Sequence, residues 1–121
     1  MSLLGIALAT FSFSLHALER EELYGVANAI GQSISMAEGL PGKVKITHKL
    51  PTLSSPFEVS LTGEPRGRMQ LIRVLVVAEE KVERVFLTGY EINGGWFELT
   101  RENPSSIQIE KDGDVTRLEL V

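Results

Sequence analysis

The first eighteen residues, MSLLGIALATFSFSLHAL, contain no Asp, Glu, Lys or Arg, although these four types make up 23% of the chain. A stretch that apolar is unfavourable in water, so its spacing and the cover it needs together restrict what the whole chain can fold into. Leu4, Leu8, Phe11, Leu15 and Leu18 recur at steps of four, three, four and three, the repeat of one helix face. Ile6, Phe13 and Ala17 carry apolar surface round to the other faces. The expected cover is therefore other helices, or lipid, on every side.

A second stripe follows at the same spacing in Leu23, Ala27, Ile30, Ile34 and Ala37, shifted in phase by the intervening Glu19, Arg20, Glu21 and Glu22. Glu22, Asn28, Gly31, Gln32 and Ser35 lie off this stripe, so the second half is one-sided, as a helix laid on a sheet is. The pattern predicts one helix from about Leu3 to about Ala37, stopped by Gly39 and Pro41. At roughly 1.5 Å per residue a helix of about 35 residues reaches roughly 50 Å. Strands of about five to seven residues cannot cover that length, so residues 1–18 are expected to project while 19–40 pack.

Beyond "EGLPGK" the pattern changes to short β-branched runs broken by Gly, Pro and Asp. "KVKITHK" sets Val44, Ile46 and His48 against Lys43, Lys45, Thr47 and Lys49, and "FEVSLT" alternates Phe57, Val59 and Leu61 with polar residues. Both read as half-buried strands. "MQLIRVLVVA", nearly continuous in apolar residues, reads as a central strand covered on both faces. "YEINGGWFEL" and "IQIEKDGDVTRLEL" place Asn93-Gly94 and Asp112-Gly113 where two-residue hairpin turns accept positive φ. With "VERVFLTG" this makes six or seven strands. The fold expected is α+β: a long N-terminal helix packed through its C-terminal half, by Leu23, Ala27, Ile30 and Ile34, on a small antiparallel sheet or β-sandwich. The expected division is 1–40 for the helix and 41–121 for the β domain.

Composition bounds the partners. There is no cysteine, hence no disulfide framework, and the net charge is −4 with four glutamates against one arginine in residues 19–40. A nucleic-acid surface needs clustered Lys and Arg, so none is expected. His16 and His48 are the only histidines and sit on different elements, which gives a metal site little support. No nucleophile elbow occurs, "GEPRGR" reads as a hairpin loop in preference to an anion cradle, and "KDGD" lacks the spaced acids of a calcium loop. Neither catalysis nor a cofactor nor a small-molecule substrate is expected. As a lone membrane span residues 1–18 are short, about 27 Å, and diluted by Thr10, Ser12, Ser14 and His16. As a secretory signal they lack a basic n-region.

The segment "VANAIGQSISMAEG", the glycine-rich turn after it, "KVKITHKLP" and "PFEVSL", all within residues 26–61, resemble the archaeal type IV pilin-like proteins of the class III signal peptide type. That group includes archaellin-related and minor pilin subunits. Over the rest of the chain the resemblance is one of architecture, and residues 1–3 show no basic leader, processing site or early glutamate of the family's kind. The resemblance implies a cell-surface or extracellular filament subunit, held in the membrane by its apolar helix before assembly. Its partners would then be copies of itself or related subunits, with Leu4, Leu8, Phe11, Leu15 and Leu18 as the assembly interface. The alternative is a membrane-tethered module whose β domain recognises a glycan or peptide through Tyr90, Trp96 and Phe97.

Overall fold

Glycine and proline decide where the helix stops. In the computed structural model, which describes the backbone of residues 3–121 and side-chain surroundings from Glu19 onward, helix α1 spans Leu3–Glu38. Its last turn tightens through Gly39 N–H to Met36 O at 3.2 Å and Leu40 N–H to Ala37 O at 3.3 Å, and Pro41 then ends the ladder. Seven strands follow: β1 (Val44–Lys49), β2 (Glu58–Arg66), β3 (Met69–Val77), β4 (Lys81–Thr88), β5 (Phe97–Glu102), β6 (Ser106–Asp112) and β7 (Val115–Leu120).

The strands form two antiparallel sheets, one in the order β4-β3-β2-β5 and one in the order β1-β6-β7. The sheets touch where β5 meets β7, and α1 lies against β4 and β3 of the first and β6 and β1 of the second. The two sheets thus wrap the helix. Leu23, Val26, Ala27, Ile30, Ile34 and Ala37 enter a core completed by Val59, Leu61, Ile72, Val74 and Val76 from one sheet and Ile107, Ile109, Leu118 and Leu120 from the other. Each strand contributes alternate residues, as the period of two requires.

This corrects the α+β reading built on a long helix. The fold is mostly β, with strands making up about half of it, and the helix packed on the sheets is the stretch of about 20 residues over Glu19–38. The physical reason is reach: about 20 helical residues span roughly 30 Å, which nine-residue strands at about 3.3 Å per residue match. Among the described residues the buried stripe begins at Leu23, immediately after the charged run at residues 19–22.

Two further expectations are corrected. β3 is not covered on both faces: Gln70, Ile72, Val74 and Val76 are buried, whereas Leu71, Leu75 and Val77 are half-buried and Arg73 is exposed. "YEINGGWFEL" is not a hairpin. Asn93, Gly94 and Gly95 do take φ of 50°, 80° and 92°, but they lie in a connection between β4 and β5, which bound opposite edges of one sheet. The second hairpin forms, with Asp112 paired to Val115 so that the turn is Gly113-Asp114, one residue later than Asp112-Gly113. "GEPRGR" also closes a hairpin, through Gly67-Arg68. Its Pro65 lies past the last β2–β5 pair, Gly63 with Phe97, where no neighbour on that side needs its N–H.

Gly63 sits on the inner face opposite Phe97, and a Cβ there would overlap the Phe97 ring and the Gln70 amide. Gly63→Ala is expected to cost about 1–3 kcal/mol through overpacking, with partial recovery when Phe97 is also shortened to Leu. Ile30→Ala, at a fully buried helix position, is expected to cost about 2–5 kcal/mol by loss of apolar burial and cavity formation. Urea unfolding of the two single variants and the double variant measures all three.

Candidate functional site

The β4–β5 connection is built by amide side chains. Gln70 on β3 donates from Nε2 to Ile92 O at 3.0 Å and Gly95 O at 2.7 Å, and its Oε1 accepts from Ile92 N–H at 2.7 Å. Asn93 reaches the other sheet: its N–H donates to Thr116 O at 2.9 Å, its Nδ2 donates to Leu118 O at 3.1 Å, and its Oδ1 accepts from Leu118 N–H at 3.0 Å. A strand-like pair of hydrogen bonds is thereby made by one side chain. The connection is held between the two sheets, and Ile92 is driven fully into the core.

The same connection, together with Lys111 of β6, clamps the end of α1. Tyr90 Oη donates to Ile34 O at 2.8 Å, Gly89 N–H donates to a Glu38 carboxylate oxygen at 2.9 Å, and Lys111 Nζ donates to Ala37 O at 2.9 Å and Leu40 O at 3.0 Å. A cation on those carbonyls also complements the negative end of the helix dipole, and Lys111 Nζ lies 5.3 Å from the Tyr90 ring centroid. Burial, and secondarily the charge of Glu38, raises the Tyr90 phenol above its ordinary value. On the covered side of α1, the Ser33 hydroxyl donates to Ala29 O at 2.8 Å and also contacts His48 Nδ1 of β1. With its single proton directed to Ala29, Ser33 accepts from Nδ1–H of His48.

These contacts place the residues singled out in the sequence. Leu23, Ala27, Ile30 and Ile34 are buried in the core. Leu4, Leu8, Phe11, Leu15 and Leu18 lie outside the residues whose side chains are described. Tyr90, Trp96 and Phe97 do not make one aromatic patch: Tyr90 is engaged by the helix end, Phe97 packs over Gly63, and Trp96 is left 70% exposed. Among the described residues no cluster of three or more His, Asp or Glu side chains could hold a metal ion, and no helix is long and apolar enough to cross a membrane.

Two clefts lie beside these elements. A cleft of about 400 Å³ lies where the sheets meet, with Phe97, Leu99 and Leu118 in it and the charges of Lys45, Glu110, Arg117 and Glu119 around it. Lys45 stands opposite Glu110, and Glu110 opposite Arg117, so charge alternates across that face and offers polar contacts of both signs. A second cleft of about 650 Å³ lies over the seam of α1 and β4, bounded by Asn28, Gly31, Gln32, Ser35, Met36 and Phe86. Beside it the outer surface of β4 exposes Val85 (49%) and Leu87 (57%), with Met69 of β3 also exposed. This apolar surface was not read from the sequence, although "VERVFLTG" signals it: three apolar residues in succession break the alternation of a one-sided strand. The chain matches no family model, no curated protein and no solved structure.

Gln70→Leu is expected to lower stability by about 2–3 kcal/mol, because it strands Ile92 N–H and two carbonyls in a buried site, and to speed hydrogen exchange at the Ile92 amide. For Tyr90 the folded state binds the phenolic proton more tightly than the unfolded chain does. Its contribution is therefore complete below the unfolded value of about 10 and is lost as pH rises beyond it. Thermal unfolding of the native chain should weaken more steeply above pH 10 than that of Tyr90→Phe, which starts lower at neutral pH.

Proposed function

We propose that this chain is a structural subunit of a type IV pilus-like surface filament or of its assembly machinery, associating through residues 4–18. The observation that carries the reading is a change of phase along one helix. Among the described residues the stripe covered by the β fold starts at Leu23, and in the sequence the uncharged stretch ends at Leu18, with a charged run and its phase shift between the two stripes. Leu4, Leu8, Phe11, Leu15 and Leu18 form a stripe of their own, out of phase with that one, and the reading assigns it to equivalent residues of neighbouring subunits, or to lipid before assembly.

Five large side chains at about 1.5–3 kcal/mol each give on the order of 10 kcal/mol per subunit, from which the cost of association is subtracted. In a bilayer the gain comes from packing and is smaller. Replacing Phe11 and Leu15 together by Glu is expected to abolish filaments of the full-length chain in electron micrographs and to reduce its sedimentation coefficient. Assemblies unchanged by the double substitution would refute the reading.

Exposed Trp96 favours a second reading, a membrane-tethered β domain that recognises a glycan or peptide. Its mark is binding on a glycan or peptide array that Trp96→Ala abolishes without moving the thermal transition.

A further inference from the structure

Two sheets present four outer strands, and the fold treats them differently. β5 and β7 lie against each other. β1 turns Lys45 and Lys49 outward, the residue type with which sheets discourage pairing at an edge. β4 has neither protection in its second half. Among the described residues it pairs only with β3, residue for residue from Gln70–Thr88 to Val77–Lys81, with no bulge and no proline. Its charges, Lys81, Glu83 and Arg84, are confined to the first half, and Val85-Phe86-Leu87 follow. Arg73 and Glu83 pair at 3.0 Å and Arg84 stacks 4.7 Å from the Tyr24 ring centroid, so two of the nearby cations are engaged within the subunit. The apolar surface continues onto β3, where half-buried Leu71 stands opposite Leu87.

We propose that β4 is a self-complementary interface, to which a second copy of this chain adds its own β4 antiparallel about a two-fold axis at Phe86. The same patch serves both partners, as a closed two-fold contact requires, and two four-stranded sheets become one continuous sheet. With the axis at Phe86, Val85 faces Leu87 of the second copy and Phe86 faces its counterpart. The charged halves then point away from the axis.

Neighbouring registers are worse. An axis at Val85 sets Glu83 against Leu87 and Arg84 against Phe86, burying charge on apolar surface. An axis at Leu87 sets Val85 against Gly89 and Phe86 against Thr88, so two of the three apolar residues lose an apolar partner. Because side chains facing across an antiparallel pair share a side, both α1 helices fall on the same side of the joined sheet. The clefts between α1 and Phe86 then meet across the axis.

The chain has no cysteine, so single cysteines report the register directly. Facing residues in an antiparallel pair have Cα atoms about 4.5–5.5 Å apart, within disulfide range. Full-length Val85→Cys and Leu87→Cys chains, mixed and mildly oxidised, should yield the mixed disulfide several-fold more than either chain yields with itself. In the Phe11→Glu, Leu15→Glu background, Leu87→Lys should convert the dimer to monomer in sedimentation while the far-ultraviolet circular dichroism of the fold is retained, since Leu87 is exposed. The mixed cross-link should also survive the Phe11→Glu, Leu15→Glu background, so that failure of this interface and failure of the filament reading are told apart. Equal yields in all three pairings, no cross-link in any, or a Leu87→Lys chain that sediments as before would each overturn the proposal.

Discussion

Burial of one helix stripe between two sheets holds the structure together. Among the described residues the strands of the two sheets approach most closely at β5 and β7, and Leu23, Ala27, Ile30, Ile34 and Ala37 join residues of both sheets in one core. Hydrophobic burial has little directional preference, and a bare stripe could slide along the sheets. Polar contacts fix its position. Lys111 and Tyr90 hold the carbonyl end, and Ser33 bonds His48 midway. Near the start, Glu22 accepts from the Ser54 hydroxyl at 3.1 Å. The exposed ion pairs, Lys43 with Asp112 and Arg66 with Glu64, add little by comparison.

The β4–β5 connection is the second determinant. It has to pass from one edge of a four-stranded sheet to the other without regular structure, so its backbone groups need partners that no ladder supplies. Gln70 supplies them to Ile92 and Gly95, Thr116 O accepts from Asn93 N–H, and the Asn93 side chain in turn bonds the backbone of Leu118. Asn93 does so at positive φ, a conformation that asparagine tolerates better than most residues. The result leaves β4 with a free outer side and sets β5 against β7, and both open clefts follow from that choice.

Much of this was legible in the sequence, and the failures have physical causes. Period-two alternation placed β1 and β2 because each has one wet face. The helix stripe from Leu23 to Ala37 was legible because its polar side is so clearly opposite. Asn93-Gly94 misled because positive φ serves an irregular connection as well as a hairpin, and the residues that decide between them, Gln70 and Leu118, are about 25 positions away. β3 misled because Leu71, Leu75 and Val77 are as apolar as buried residues, while the face they occupy is only half covered. Lys111 as a helix cap, and the open side of β4, depend on pairings between distant strands that no local pattern encodes.

The pairing of β1 with β6 joins Val44 to Lys111 and Lys49 to Ser106, and this long loop has a kinetic consequence. Contacts so distant in the chain form late, because closing the intervening segment has an entropic cost before any contact repays it. A chain emerging from a ribosome or a translocation channel would thus present the stripe of α1 long before β6 and β7 exist to cover it. During that interval only the earlier strands, β3 and β4 foremost, are there to cover the stripe, and the side that β6 completes stays open.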